Sequence, residues 1–321
     1  MDAAQSSRKD NFKVVLSRLM EEERIMDATG LQESVRERVE SLPAPNVVVM
    51  EVLRRSGNPD CSVKEISEVI TADASITARI LRLANSSYYG LPRRVEAVSV
   101  AVPLLGIRTI RRLVLSVSTY DIMNQKLGGY GHQEGELWGH SLGVSVAAEH
   151  LCECVGYRKS EEMRMVALLH DIGKVVLSPF LLEFLEPEFR EVLGRGGAEA
   201  LELEREVCGL DHAEVGMMIA ERWNLSARFE EIIRYHHEPG KSPNLPKAAA
   251  IVNVADGMAT WLLRSDEQAS APLEFAAGAM EALQLEEAEV VRELVEINRK
   301  VGEEIGFWLG YGSPVEEDGG R

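Results

Sequence analysis

The chain has 321 residues, of which 45% are hydrophobic and 27% charged, enough for one large or two smaller packed domains and unlike a disordered or fibrous chain. Lys and Arg number 35 against 52 Asp and Glu, and the formal net charge of −17 argues against nucleic acid as a partner. No apolar run approaches the ~20 residues of a membrane span, and the polar opening MDAAQSSRKD is no secretory signal, so a cytoplasmic protein with no membrane span is expected.

Apolar residues recur at spacings of three and four almost throughout, and period-two alternation is scarce, so the predicted fold is all-α. Phe12, Val15, Leu16, Leu19 and Met20 mark a leading amphipathic helix within residues 1–35, packed on the body or used for a partner. Pro43 and Pro45 break the chain, and a helix resumes near Asn46 and ends by Gly57. Ser62 and Glu65 have the spacing of a capping box, opening a helix through Ile70. Asp73 can cap the next helix, with Ile76, Ile80, Leu81 and Leu83 inward. A helix from Val98 carries Pro103 and stops at Gly106; Ile107, Ile110, Val114 and Val117 mark its successor. Gly128, Gly129 and Gly131 suggest a flexible boundary. Helices follow near 134–155, 161–170, 212–223, 226–237 and 247–263, with a less regular acidic stretch over 181–206. After a polar break at 265–272, two more helices reach Trp308, and residues 312–321 form a flexible tail. The expected division is a helical subdomain over 36–127, a helical core over 131–264 and C-terminal helices over 265–311.

The seven histidines carry the chemical signal. His140, His170, His212, His236 and His237 fall in predicted helices or at their ends, each sharing a face with apolar residues: Leu137, Val144 and Ala148 beside His140, Met163 and Val166 beside His170, Ile232 and Ile233 before the pair. Polar groups on inward stripes must be hydrogen-bonded or ligated. One such histidine is an ordinary satisfied core residue; five of them with Asp171 and Asp256 suggest ligands. Their donor types suit manganese, iron or zinc. Seven ligands exceed one ion's needs, so a dinuclear divalent transition-metal centre is expected, with Asp171, beside His170, as the bridging carboxylate. His132 and His150 stand outside this set, and His150 lies about 280° round its helix from His140. The four cysteines form no CxxC pair and read as thiols.

The His170-Asp171 doublet, with His140 before it and Asp256 after it, resembles the HD superfamily of metal-dependent phosphohydrolases. His212 and the His236-His237 pair resemble the fuller ligand set of the HD-GYP branch, which cleaves cyclic dinucleotides. By that resemblance Lys174 matches a phosphate-contacting lysine and Glu136, on the face of His140, an occasional extra ligand. The chain then departs from the branch: Glu238-Pro239-Gly240-Lys241 follows the pair, without a Gly-Tyr-Pro element. Leu42-Pro43-Ala44-Pro45, Ile70-Thr71-Ala72-Asp73, Leu83-Ala84-Asn85-Ser86-Ser87-Tyr88-Tyr89-Gly90, Leu137-Trp138-Gly139-His140-Ser141 and Asp211-His212-Ala213-Glu214-Val215-Gly216 are instead similar to HDOD domains, the HD-related output domains of bacterial signalling. The resemblance covers about residues 36–260. Many HDOD proteins have lost the ligands; this chain keeps them.

The resemblance implies a metal-binding bacterial signalling protein, with iron or manganese favoured over zinc. Asp171 and Lys174 would be catalytic if it hydrolyses a phosphodiester or nucleotide. The alternative is a non-catalytic interaction module with structural metal. The implied partners are signalling proteins or a phosphate-containing small molecule. Seven arginines against Glu96 between Arg79 and Arg112 form a second feature. Either they pair with the acidic downstream half, or Arg93 and Arg94, in the loop after Tyr88-Tyr89, meet an anion or partner.

Overall fold

The computed structural model describes residues 28–56, 61–86, 88–263 and 273–312. Among them the fold is all-α, with no strand and one isolated bridge between Leu127 and His132. The leading helix expected over Phe12–Ile25, the break at 265–272 and nearly all of the tail lie outside the described residues.

The first helix described, α1 (Ala28–Ser41), runs without interruption through the boundary expected at residue 35. Its Leu31, Val35 and Val39 are buried. It packs on the downstream helices Gly173–Phe184, Gly197–Cys208 and His212–Arg222, and Gln32 Nε2 donates to Gly209 O at 2.6 Å. Helices α2 (Val47–Ser56), α3 (Val63–Thr71), α4 (Ala74–Ala84) and α5 (Val98–Met123) pack on one another. Ser62 and Glu65 close both halves of the capping box on α3, and Asp73 caps α4 through the Ile76 amide. Helix α5 is two stretches joined at Gly106, whose φ of +80° an L side chain rarely adopts. Its Ile110, Leu113, Val114 and Val117 close the aliphatic core.

The downstream half comprises α6 (Glu136–Cys154), α7 (Ser160–Leu169), α8 (Gly173–Phe184), α9 (Pro187–Arg195), α10 (Gly197–Cys208), α11 (His212–Arg222), α12 (Ala227–Tyr235), α13 (Pro246–Leu262), α14 (Ala279–Leu283) and α15 (Glu287–Gly312). Ser160–Phe184, apolar enough to cross a membrane by composition, is mostly buried inside the fold and interrupted at His170–Ile172.

Two expectations need correction. The segment 181–206 is helical, completing α8 and forming α9 and most of α10. Its Glu183, Glu186, Glu199, Glu202 and Glu206 are exposed, while Leu193, Ala200, Leu201, Leu203 and Glu204 turn inward. Gly128–Gly131 is no flexible connection either. It forms a 3₁₀ turn (Gly128–Tyr130) with Gly129 and Tyr130 buried on α8, and a Cβ at Gly129 would meet Ser178 O at 2.2 Å. Close approach of two backbones explains that glycine.

The arginine segment divides. Arg79 pairs with Asp121 at 3.0 Å, and Arg108, Arg111 and Arg112 reach across to Glu161 and Glu149 of the downstream half. Arg93 and Arg94 are exposed and make no ion pair with a described residue.

Candidate metal centre

Five elements deliver the seven candidate residues. His140 lies inside α6, and Asp256 inside α13. His170 ends α7, with Asp171 in the turn before α8. His212 is the first residue of α11, where Asp211 and Glu214 form a capping box that sets its entry. His236 caps the end of α12, and His237 follows. Two glycines let these elements converge. A Cβ on Gly173 would meet His212 O at 2.0 Å, and one on Gly216 would meet Ile233 Cγ2 at 2.8 Å. Helices α8 and α11 therefore approach closely enough to set His212 beside Asp171.

The side chains form two groups, Asp171, His212, His236 and His237 on one side and His140, His170 and Asp256 on the other, each with ligand atoms within 4.8 Å of one another. Asp171 faces both. Its Oδ1 lies 3.1 Å from His212 Nε2 and 3.9 Å from His236 Nε2. Its Oδ2 lies 3.4 Å from His170 Nε2 and 3.6 Å from His140 Nε2. Asp256 Oδ1 completes the second group, 3.1 Å from His140 Nε2 and 3.9 Å from His170 Nε2. His212 and His237 bring their Nε2 atoms to 3.0 Å.

The outer nitrogens of His170, His212 and His236 are anchored, so their Nε2 atoms are aimed inward. His170 Nδ1 lies 2.7 Å from Ala167 O, and His236 Nδ1 2.7 Å from Ile233 O. His212 Nδ1 sits 2.8 Å from Glu204 Oε2; Glu204 also accepts from the His212 amide at 2.7 Å and the Tyr130 hydroxyl at 2.8 Å. His170 Nε2, His236 Nε2 and Asp171 Oδ1 are buried without a hydrogen-bond partner among the described residues. Each such orphan costs about 1–3 kcal/mol. Three of them facing one another, backed by satisfied outer partners, suit cations; the donor set fits one or two divalent ions.

Electrostatics divides the rings. Burial opposes charge on His212, but Glu204 and Asp171 outweigh it and raise its pKa to about 10. Burial likewise opposes charge on His170, and Asp171 outweighs it. Burial and the neighbouring rings push His236 well below its ordinary value, and burial with His212 takes His237 down to about 3. Against burial, His170 and Lys174 hold Asp171 well below the usual carboxylate range, and the His140 contact does the same for Asp256. Two ionised carboxylates therefore sit among the imidazoles.

All seven expected ligands converge. Glu136 does not join them; it is exposed, and its Oε2 accepts from the Gln133 amide at 2.9 Å in the first turn of α6. Lys174 stands with the ligands, not on an open surface. It is buried, donates to Asp171 Oδ2 at 2.6 Å and lies over the Tyr130 ring. The pocket opens on one side, where His140 and Asp256 are 15% and 17% exposed while His170 and His212 are sealed. Glu204 and Tyr130 escaped the sequence reading. The available signal was a carboxylate among Ala200, Leu201, Leu203 and Val207 on a buried helical face.

Residues 42–239, more than half of the chain, match the HDOD domain family. The chain belongs to the HDOD family. Among curated proteins it is similar to an uncharacterised protein of Treponema pallidum, 27% identical over 221 residues and covering 68% of this chain and 41% of the relative. It is also similar to the uncharacterised protein YuxH of Bacillus subtilis, 26% identical over 34% of this chain and 25% of YuxH. The chain thus spans less than half the length of these relatives. Among solved structures, an HDOD domain protein of unknown function from Geobacter sulfurreducens superposes with a TM-score of 0.64 at 25% identity, covering 86% of this chain and 99% of that one. A Shewanella amazonensis protein described as a candidate phosphohydrolase gives 0.62 at 24% identity, over 85% and 97% of the two chains, and shares the fold. The HDOD match begins at Leu42, just after α1, and ends at Pro239, just after the histidine pair.

Proposed function

We propose that this HDOD protein is a bacterial signalling protein that binds two divalent transition-metal ions, iron or manganese, in the histidine and aspartate pocket, where they hold the helices in a signalling-competent arrangement. One observation carries the reading: Asp171 directs one oxygen to each ligand group, and orphaned nitrogens of His170 and His236 face it. Because the ligands come from five separate elements, binding adds folding free energy to the helices it joins. A cytoplasmic location and protein partners in signalling belong to the same proposal. A chelator should lower the thermal unfolding midpoint of protein purified without added metal, and manganese or iron should restore it. An unchanged midpoint in chelator would defeat the proposal.

The partly open edge at His140 and Asp256 supports a second reading, hydrolysis of a phosphodiester or nucleotide. Bound ions would supply Lewis acidity and activate water there. In this chain the open edge admits substrate, and Asp171 orients the two ligand groups. The Lys174 ammonium is committed to Asp171 Oδ2 and would have to leave it to meet a phosphate. That commitment favours the non-catalytic reading. Turnover of bis(4-nitrophenyl) phosphate by metal-replete protein, lost in His140→Gln, would favour the enzyme; none at any metal loading would leave the signalling role.

A further inference from the structure

Ten or more residues along α6 from His140, towards its C-terminal end, a separate cluster joins the helix to α15. His150 and Cys154 are four residues apart and share a face of α6; Glu293 comes from α15. One ring nitrogen of His150, the Cys154 sulfur and a Glu293 oxygen lie within 4.8 Å of one another. His150 is 10% exposed at its side chain, Glu293 is 39% exposed and Cys154 is exposed, so the cluster is rooted in the fold and open outward. His150 Nε2 already meets Glu293 Oε2 at 2.6 Å.

We infer that His150, Cys154 and Glu293 form a second metal site, distinct from the central pocket, taking a thiophilic divalent ion of the zinc class with solvent in the remaining position. Nitrogen, sulfur and carboxylate oxygen together are a zinc donor set, and the thiolate separates it from the histidine and aspartate centre. Binding releases the Cys154 thiol proton to solvent and leaves a neutral ring as ligand. Lys300 is the competitor. Its Nζ lies 2.9 Å from His150 Nδ1, but Glu153 and Glu296 carboxylates stand 3.9 and 4.0 Å away to receive it when the ring turns to the ion.

The consequence is mechanical. Helix α15 carries Phe307 against Tyr88 and Tyr89, and Trp308 against Trp138 and Tyr120. Its Glu304 accepts from Tyr88 at 3.1 Å and pairs with the buried Arg164 at 3.0 Å. A metal tie between α6 and α15 fastens a helix that bridges the upstream loop and the downstream half.

Cobalt(II) titration of the full chain, followed by thiolate-to-cobalt charge-transfer absorption, tests the site with the metal alone. The native protein should develop the band, and zinc should bleach it. Cys154→Ser should abolish it, whereas Cys61→Ser and His140→Gln should keep it, the last separating this site from the central pocket. Glu293→Gln should weaken zinc binding by more than about tenfold, because even outer partners of a metal contribute 10–100-fold. Lys300→Met should tighten it. No band in the native protein, or a band undiminished in Cys154→Ser, would overturn the inference.

Discussion

The upstream helices α2–α5 and the downstream half share an aliphatic core but differ in the charge they bury. Among the described residues between 47 and 123 the buried polar side chains are Ser67, Ser116 and Thr119, around aliphatic Val52, Ile66, Ile70, Ile80, Ile110 and Val114. Charge there stays at the surface or in ion pairs across to α6 and α7. Downstream, Arg164, His170, Asp171, Lys174, Glu204, Asp211, His212 and His236 are all buried. Burying a charged or unsatisfied group costs free energy that burying an aliphatic side chain returns. Both halves pack aliphatic side chains into one core, but only the downstream half also spends part of that stability to hold a charged pocket. The contrast locates function without reference to any relative.

The comparison breaks most sharply at Asp171. Asp171→Ala removes both oxygens that face the two side-chain groups and is expected to lose the iron or manganese of the central pocket, while Glu136→Ala, outside the cluster, keeps its full content by elemental analysis. Equal losses would contradict the geometry. Next in size is Ile110→Ala, in the fully buried upstream core. It should cost about 2–5 kcal/mol in denaturant unfolding yet leave metal stoichiometry unchanged in the folded protein. A loss of metal would show that the two halves are not separable in this sense.

Glu204→Gln keeps the size of the group but removes the charge behind His212. Metal affinity should fall about 10–100-fold, measured by competition with a chelator. An unchanged affinity would make Glu204 a purely structural anchor.

His132 sharpens the comparison by pH. Burial, with Lys174 second, lowers its pKa from 6.5 to about 4. The unfolded chain therefore binds a proton at this site between about pH 6.5 and 4 that the folded chain refuses, so stability falls as pH falls through that window. His132→Gln should lose less stability than the parent over it, as chemical denaturation at each pH would show. Smallest is the loop pair: Arg93→Glu with Arg94→Glu should leave unfolding within about 0.5 kcal/mol per substitution, because both are exposed. A larger loss would mean that the loop arginines support the fold.

Much of this was legible in the sequence because it rests on local rules. The capping box at Ser62 and Glu65, the Asp73 cap and the break at Gly106 each depend on a few adjacent residues, and all three are present. The clustering of the seven histidine and aspartate residues was legible because polar residues on apolar stripes need a partner, whatever the tertiary arrangement. What was not legible depends on distant backbone. Gly129 reads as flexibility until Ser178 O is seen against it, and Glu204 reads as one acid among many until α10 carries it to His212. Lys174 shows the same limit: its position three residues after Asp171 gave a helical neighbour, but only the fold shows that its ammonium turns back onto that carboxylate.

The central claim is that the downstream half spends its buried charge on metal. Elemental analysis of protein purified without added metal, paired with thermal unfolding in chelator, tests it directly. The account predicts between one and two iron or manganese ions per chain in the central pocket, retained when Cys154 is replaced by Ser, and a lower unfolding midpoint once they are removed. Less than ~0.2 metal per chain with an unshifted midpoint would contradict it.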